Sequence, residues 1–128
     1  MSETFIVEII SPDQTILKQE TNEVTIPSYE GQMGILKNHV PLITFLRPGF
    51  IAIKGEKESK YYVEEGTVEF SNNNLLILTS TVKNLLDFEK NLVSDLIKKD
   101  ESKLIDPNIS DKERYIASYR LETLKEIN

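Results

Sequence analysis

The sequence predicts a β-plus-α chain: an N-terminal two-sheet β-sandwich, or flattened barrel, over residues 1–83, followed by a C-terminal αα-hairpin over residues 84–128. Three observations carry this expectation. All five glycines (Gly31, Gly34, Gly49, Gly55, Gly66) lie in the first 66 residues, and none follows. That half is written in short runs of β-branched and aromatic residues bounded by Gly, Pro, Asn and Asp, the punctuation of many short strands. From Asn84 onward the apolar residues recur at three and four positions instead, which is the period of one helix face.

The strands follow in order. Thr4–Ser11 (TFIVEIIS) is rich in β-branched residues and stops at Pro12-Asp13, a turn signal. Thr15–Leu17 and Glu23–Ile26 are short strand candidates. Leu42–Leu46 reads as a buried strand, and Arg47-Pro48-Gly49 as a tight turn into the next. Phe50–Lys54 alternates and ends at Gly55-Glu56, with Lys60–Glu64 as its hairpin partner. Thr67–Phe70 places Val68 and Phe70 on one face, and Ser71–Asn74 makes a turn. Leu75–Val82 is mostly apolar, as expected of a strand buried on both faces or at a sheet junction. Short strands at close spacing suit a sandwich or flattened barrel.

The helical half opens at Asn84, an N-cap candidate with Asp87 at the third helical position. Leu85, Phe88, Leu92, Val93, Leu96 and Ile97 form an apolar stripe, and the helix is expected to run to about Lys103. Pro107 then biases Asp106 away from helical geometry. Ser110 opens a second helix, with Glu113 at capping-box spacing and Asp111 adding negative charge to the first turn. Ile116, Ala117, Leu121, Leu124 and Ile127 supply its stripe. Helices of roughly 18 residues are marginal alone in water, so these stripes need each other, the β-domain or another protein. The pattern leaves open whether the hairpin rests on the sandwich or moves to dock elsewhere.

Composition narrows the function. A 128-residue chain is one ordinary domain, or one with a small appendage. With 39% hydrophobic and 28% charged residues it can bury a core, which argues against disorder. A net charge of -6 and scattered Lys and Arg argue against a nucleic-acid surface. There is no cysteine, so no disulfide, thiolate nucleophile or Cys-based metal site is available. The first residues lack the basic region and apolar core of about 7–15 residues that mark a signal peptide. No stretch approaches the roughly 18 apolar residues of a membrane span. A cytosolic or cytosol-facing location is the expectation.

No catalytic constellation is legible. His39 is the only histidine and has no partner at metal-ligand or triad spacing, so it reads as a loop-shaping or contact residue and no metal site is expected. There is no GxSxG, GxGxxG or Walker motif. Gly31-x-x-Gly34 falls between strands with no helix after it, which argues against a phosphate cradle. Glu56, Glu58, Glu64 and Glu65 lie beside lysines and read as solvated strand-edge charges. The chain is not expected to be an enzyme by itself.

What remains is Val24–Phe50, VTIPSYEGQMGILKNHVPLITFLRPGF, which holds three of the five glycines, three of the five prolines and the histidine. Met33 and Ile35 on a glycine-framed loop suit a binding surface. They could equally fold inward as minor core. Asn38-His39-Val40-Pro41 is a rigid turn, since Pro41 holds Val40 extended. This segment resembles the signature of the epsilon subunit of F-type ATP synthases, with Gly31, Gly34, Ile35, Leu36, His39, Pro41, Leu42, Thr44, Leu46, Pro48 and Gly49 in register. The Phe5–Gln14 start and the TVEFSNNNLLILT block resemble that family too. The likeness is dense over residues 1–83 and looser over 84–128.

The resemblance implies a non-catalytic subunit of the rotary central stalk of a proton-translocating enzyme, peripheral to its membrane; the lack of a transit peptide favours the cytoplasmic face of a bacterial plasma membrane. It implies that the sandwich binds a gamma subunit and stands on the ring of c subunits. Contact with that ring falls to Glu30, Gly31, Gln32, Met33, Gly34, Ile35, His39 and Pro41. The hairpin would either lie folded or extend toward the alpha/beta catalytic head and inhibit ATP hydrolysis. Two departures stand out. Many relatives carry a carboxylate where this chain has Gln32. Some bacterial members bind ATP on the hairpin through an (I/L)DxxRA motif, which here reads Leu86, Asp87, Phe88, Glu89, Lys90 and Asn91. Leu86, Asp87 and Lys90 are thus the candidate nucleotide contacts, in an alternative reading as an ATP-sensing inhibitor. Lys90 lacks the planar fork with which arginine grips phosphate, and no other cofactor is expected.

Overall fold

The computed structural model describes residues 3–127. Strands β1 (Phe5–Ile10), β2 (Thr15–Thr21), β3 (Glu23–Ser28), β4 (Gly31–Leu36) and β5 (Leu42–Leu46) are followed by β6 (Gly49–Lys54), β7 (Glu58–Val63), β8 (Gly66–Ser71), β9 (Asn74–Leu78) and β10 (Lys83–Asn84). A 3-10 turn (Leu85–Asp87) then leads to helices α1 (Lys90–Ile105) and α2 (Asp111–Ile127). The strands hydrogen-bond in the order β10-β7-β6-β3-β5-β8-β9-β1-β2, with β4 pairing on β3. This sheet curls on itself into the expected sandwich. Its inner face carries alternate residues of nearly every strand, among them Val7, Ile9, Val24, Ile26, Ile35, Ile53, Val68 and Ile77, all fully buried.

Strand β3 is where the chain passes from one layer to the other. Glu23–Thr25 pair with Ala52–Lys54 of β6, whereas Ser28 pairs with Leu46 of β5. Pro27 sits at the change of partner. It has no N–H to donate there, and its carbonyl accepts from the Arg47 N–H at 3.0 Å, so a proline in a central strand leaves nothing unsatisfied. Gly49 completes the crossing, because a Cβ at that position would come within 2.5 Å of the Pro27 ring. Gly66 is required for a different reason. Its φ is +154° and a Cβ would lie 2.6 Å from the Leu78 carbonyl oxygen, so only glycine lets the β7–β8 turn close onto the end of β9.

Several expected boundaries shift. The glycine segment 31–36 is a strand and not a loop: Val24 pairs with Ile35 and Ile26 with Met33. Gly31-x-x-Gly34 therefore lies within β4. Strand β5 is buried on one face only, for Ile43 and Phe45 are 75% and 58% exposed. Strand β9 stops at Leu78. Beyond it the Thr79 hydroxyl donates to the Glu65 carbonyl at 2.6 Å, and the Thr81 hydroxyl accepts the Glu64 N–H at 3.0 Å. These side chains take over the backbone groups of the β7–β8 turn, and the chain leaves β9 to pair with β7 as β10.

The first α-helix starts at Lys90, later than the apolar period suggests. Asn84 does cap, accepting the Leu86 N–H at 3.0 Å, but the turn it caps is 3-10 and Phe88 leaves it in extended geometry. The second helix opens as expected. Ser110 Oγ accepts the Glu113 N–H at 3.1 Å, and the Glu113 carboxylate accepts the Ser110 N–H at 3.3 Å, which is a complete capping box. Among the described residues no helix is long and apolar enough to cross a membrane.

Candidate functional site

Three surfaces of the chain are candidates for contact. The first is the β3–β4 hairpin with the loop to β5, whose Tyr29-Glu30 turn and residues 37–41 stand at opposite ends of β4. In the Tyr29-Glu30 turn, Ser28 Oγ accepts the Glu30 N–H and donates to the Gly31 carbonyl at 2.7 Å. Glu30, Gln32 and Gly34 are exposed and Met33 is half-buried. Ile35 is fully buried in the core, so its side chain is withdrawn from any contact surface. The strand's period of two decides this: Ile35 sits opposite Val24, which faces inward.

The loop after β4 is held by side chains from elsewhere. Asn38 adopts φ 68° and Asn73 φ 59°, a left-handed geometry that asparagine tolerates. The Asn38 N–H donates to the Asn73 side-chain oxygen at 2.7 Å, and the Asn73 amide returns a bond to Asn38 at 3.0 Å. The β8–β9 turn and the β4–β5 loop therefore form one composite tip. His39 packs edge-on against Phe70, with ring centroids 5.8 Å apart. Its Nδ1–H donates to the Val40 carbonyl at 2.7 Å, which leaves it shaping the loop. Pro41 is exposed, and so are Leu36 and Val40, two neighbours that sequence reasoning passed over.

The second surface is the outer face of the sheet. Pairing aligns Phe45 with Thr67, Thr67 with Leu78 and Leu78 with Ile10 across four strands. This row floors a shallow groove of about 700 Å³ whose wall includes Tyr29 and Pro12. With Ile43 alongside, it is a contiguous exposed apolar patch on a chain that otherwise alternates well. Reading Leu42–Leu46 as wholly buried concealed it. Only the pairing shows that every second residue of β5 and β9 faces the same way out.

The third surface is the seat of the hairpin. Val93 and Leu124 are buried against Tyr62, with Phe50, Phe88, Leu96, Ile97 and Ile127 around them. Arg120 of α2 donates three hydrogen bonds of 2.6–3.0 Å to Asp100 of α1 and one of 3.0 Å to Glu64, just past β7. Glu64 also accepts from the Tyr62 hydroxyl at 2.8 Å. Glu64 is thus not the solvated edge charge its lysine-rich neighbourhood suggests. The Arg47 guanidinium lies 4.0 Å above the Tyr119 ring, and Tyr115 stacks on Tyr29 at 5.3 Å. These contacts fold the hairpin onto the sandwich.

Burial, followed by the charge of Glu64, pushes the Tyr62 hydroxyl far above its ordinary range. The unfolded chain releases this proton near pH 10 while the folded chain keeps it, so the folded state binds more protons and stability falls as pH rises. The chain is therefore expected to loosen at this seam above about pH 10. A Tyr62→Phe variant, with nothing to ionise, should hold the seam to higher pH. Parallel melts by circular dichroism at pH 8 and 11 check this; equal pH sensitivity of parent and variant would refute it.

The candidate nucleotide contacts are not brought around a common cavity. Leu86 is 90% exposed in the 3-10 turn, Lys90 starts α1 at the surface, and only Asp87 borders a groove, beside Thr15 and Lys83. The three arginines are committed elsewhere: Arg47 to Tyr119, Arg114 to the carbonyls ending α1, and Arg120 to Asp100 and Glu64. These residues do not fit a triphosphate. No group of three or more His, Cys, Asp or Glu able to hold a metal ion occurs among the described residues.

Comparison with known proteins gives this arrangement a context. Residues 4–84 match the family model of the ATP synthase delta/epsilon chain β-sandwich domain. The chain is 42% identical to the ATP synthase epsilon chain of Pelagibacter ubique, with 100% of both chains covered. It is 30% identical to that of Rhodopseudomonas palustris, covering 97% of this chain and 91% of the relative. Its fold superposes with a TM-score of 0.82 on a chain of the Euglena gracilis mitochondrial ATP synthase, at 22% identity, covering 98% of this chain and 82% of that one. A sandwich closed by the Pro27 crossover, a glycine-framed strand followed by a loop shaped by His39, and a helical hairpin seated on Tyr62 thus occur in a chain that belongs to the ATP synthase delta/epsilon family, on its epsilon-chain branch.

Proposed function

We propose that this chain is a non-catalytic rotor subunit of the central stalk of a proton-translocating F-type ATP synthase, bound peripherally at the cytoplasmic face of a bacterial plasma membrane. In this reading residues 1–83 form the unit that transmits torque and residues 84–128 a regulatory hairpin. The outer apolar row is the seat of the gamma subunit. The open edge of β4 and the loop after it, with Glu30, Gly31, Gln32, Met33, Gly34, His39 and Pro41, meet the polar loops of the c-ring. The closed hairpin would inhibit only after release toward the alpha/beta head.

The observation that carries the reading is the exposed row of Ile43, Phe45 and Leu78 beside Tyr29. An apolar patch on a stiff sheet suits a durable protein partner. Its geometry follows from strand pairing, so it is formed before any partner arrives. The loop at the far end of β5 is ordered by the Asn38–Asn73 amide pair and exposes Leu36, Val40 and Pro41, which suits a second contact apart from the first.

Ile43→Asp with Phe45→Asp tests the assignment. Both side chains are exposed, so the fold is expected to keep its melting temperature within a few degrees. Affinity for purified gamma is expected to fall at least 100-fold, as for loss of central apolar anchors. Unchanged gamma binding by a folded variant would overturn the assignment of that face. The ATP-sensing alternative finds no support in the geometry, because Leu86, Asp87 and Lys90 do not line a common cavity.

A further inference from the structure

Arg120 ties α2 to two places at once, and the two ties differ in kind. Asp100 is 1% exposed, and among the described residues its side-chain hydrogen bonds all come from this one guanidinium. Pulling Arg120 away would leave an unpaired carboxylate inside the helix pair, which is strongly unfavourable. Glu64 has a side chain 29% exposed and makes a single contact with Arg120. If that contact breaks, water and the Tyr62 hydroxyl can still satisfy it. The weaker tie is therefore the one between hairpin and sandwich, and the stronger one lies within the hairpin.

We propose that Glu64 and Arg120 form a docking latch that opens at Glu64, so that the hairpin leaves the sandwich as an intact helix pair still pinned by Arg120 and Asp100. The apolar seam agrees with this order. Leu124 and Val93 meet around Tyr62, so both helices share one seat and neither is anchored alone. Arg47, stacked on Tyr119, and Tyr29, stacked on Tyr115, are also contacts of α2 with the sandwich. They can part without burying a charge. The latch deepens the stalk reading by naming the release point of the hairpin. Its test needs no partner protein, so the two ideas fail separately.

The chain contains no cysteine, so a single Thr123→Cys can report docking. Thr123 is 5% exposed and faces Pro27, Gly49 and Phe50 across the seam. In the full-length chain under native conditions, Glu64→Gln is expected to speed thiol labelling at position 123 by about tenfold, the size of one half-buried charge-assisted hydrogen bond. Hydrogen-exchange protection of α1 and α2 should stay at the parent level. Arg120→Met should speed labelling and also strip protection from both helices. Adding Glu64→Gln to Arg120→Met should change labelling no further. Labelling at the parent rate in Glu64→Gln, loss of helix protection together with docking in that variant, or a further increase in the double variant would each overturn the proposal.

Discussion

Replacing Phe70 with alanine is expected to destabilise the whole chain by about 3–5 kcal/mol. Phe70 is 1% exposed in β8, between Leu42 of β5 and Leu75 of β9. It receives the Phe5 ring edge-on at 5.6 Å and the His39 ring at 5.8 Å. Truncation removes apolar area and leaves a cavity that strands locked in register cannot collapse to fill. A domain of this size has about 5–15 kcal/mol in total, so one substitution removes a large share. It should also loosen the tip, because His39 loses the surface it rests on. Urea titration should show a lower midpoint with an unchanged slope. A loss below about 1.5 kcal/mol would mean that the core repacks and that Phe70 is not its keystone.

Leu124→Ala is expected to act on a different part of the molecule. Leu124 is fully exposed to neither water nor the main core: it is 0% accessible and packs with Val93 and Tyr62 in the separate cluster under the hairpin. Its loss should weaken that seam by about 2–5 kcal/mol. The β-domain core contains none of these atoms, so its stability should change little. Hydrogen exchange would show this as lost protection in α1 and α2 with protection kept in β1, β3, β8 and β9. Equal loss of protection in sheet and helices would show that the two units fold as one. Compared with Phe70→Ala, this variant asks whether residues 84–128 are an independent lever or part of the core.

Much of this layout was legible before any coordinates, and the reasons are local. Ser110 with Glu113 makes a helix start that needs nothing from the rest of the chain, and it forms as expected. Asn72 and Asn73 both take positive φ, which is what a tight two-residue hairpin turn demands. Val68 and Phe70 face inward together because β8 alternates without interruption. Where local preference and tertiary context disagreed, the local reading failed. Two glycines lower the strand propensity of residues 31–36, yet pairing with β3 along the full length makes them β4. Leu85 and Phe88 keep a helical period, yet the chain spends them in a 3-10 turn and an extended residue so that Phe88 can meet Tyr62 at 5.1 Å.

The candidate sites divide in the same way. The tip was visible because glycine, asparagine and proline carry conformational meaning one residue at a time. The outer apolar row was not, since Phe45, Leu78 and Ile10 are distant in sequence and become one surface only through cross-strand register. The latch was invisible for the same reason: Glu64 and Arg120 are 56 positions apart, and nothing in a run of lysines and glutamates marks one carboxylate for a buried partner. By itself the sequence determined strand and helix types, turn chemistry and the family, because these rest on backbone preferences and short spacings. Which residues are covered, and whether the hairpin lies on the sandwich, was decided only by tertiary structure, because burial and charge pairing depend on neighbours that the chain order does not name.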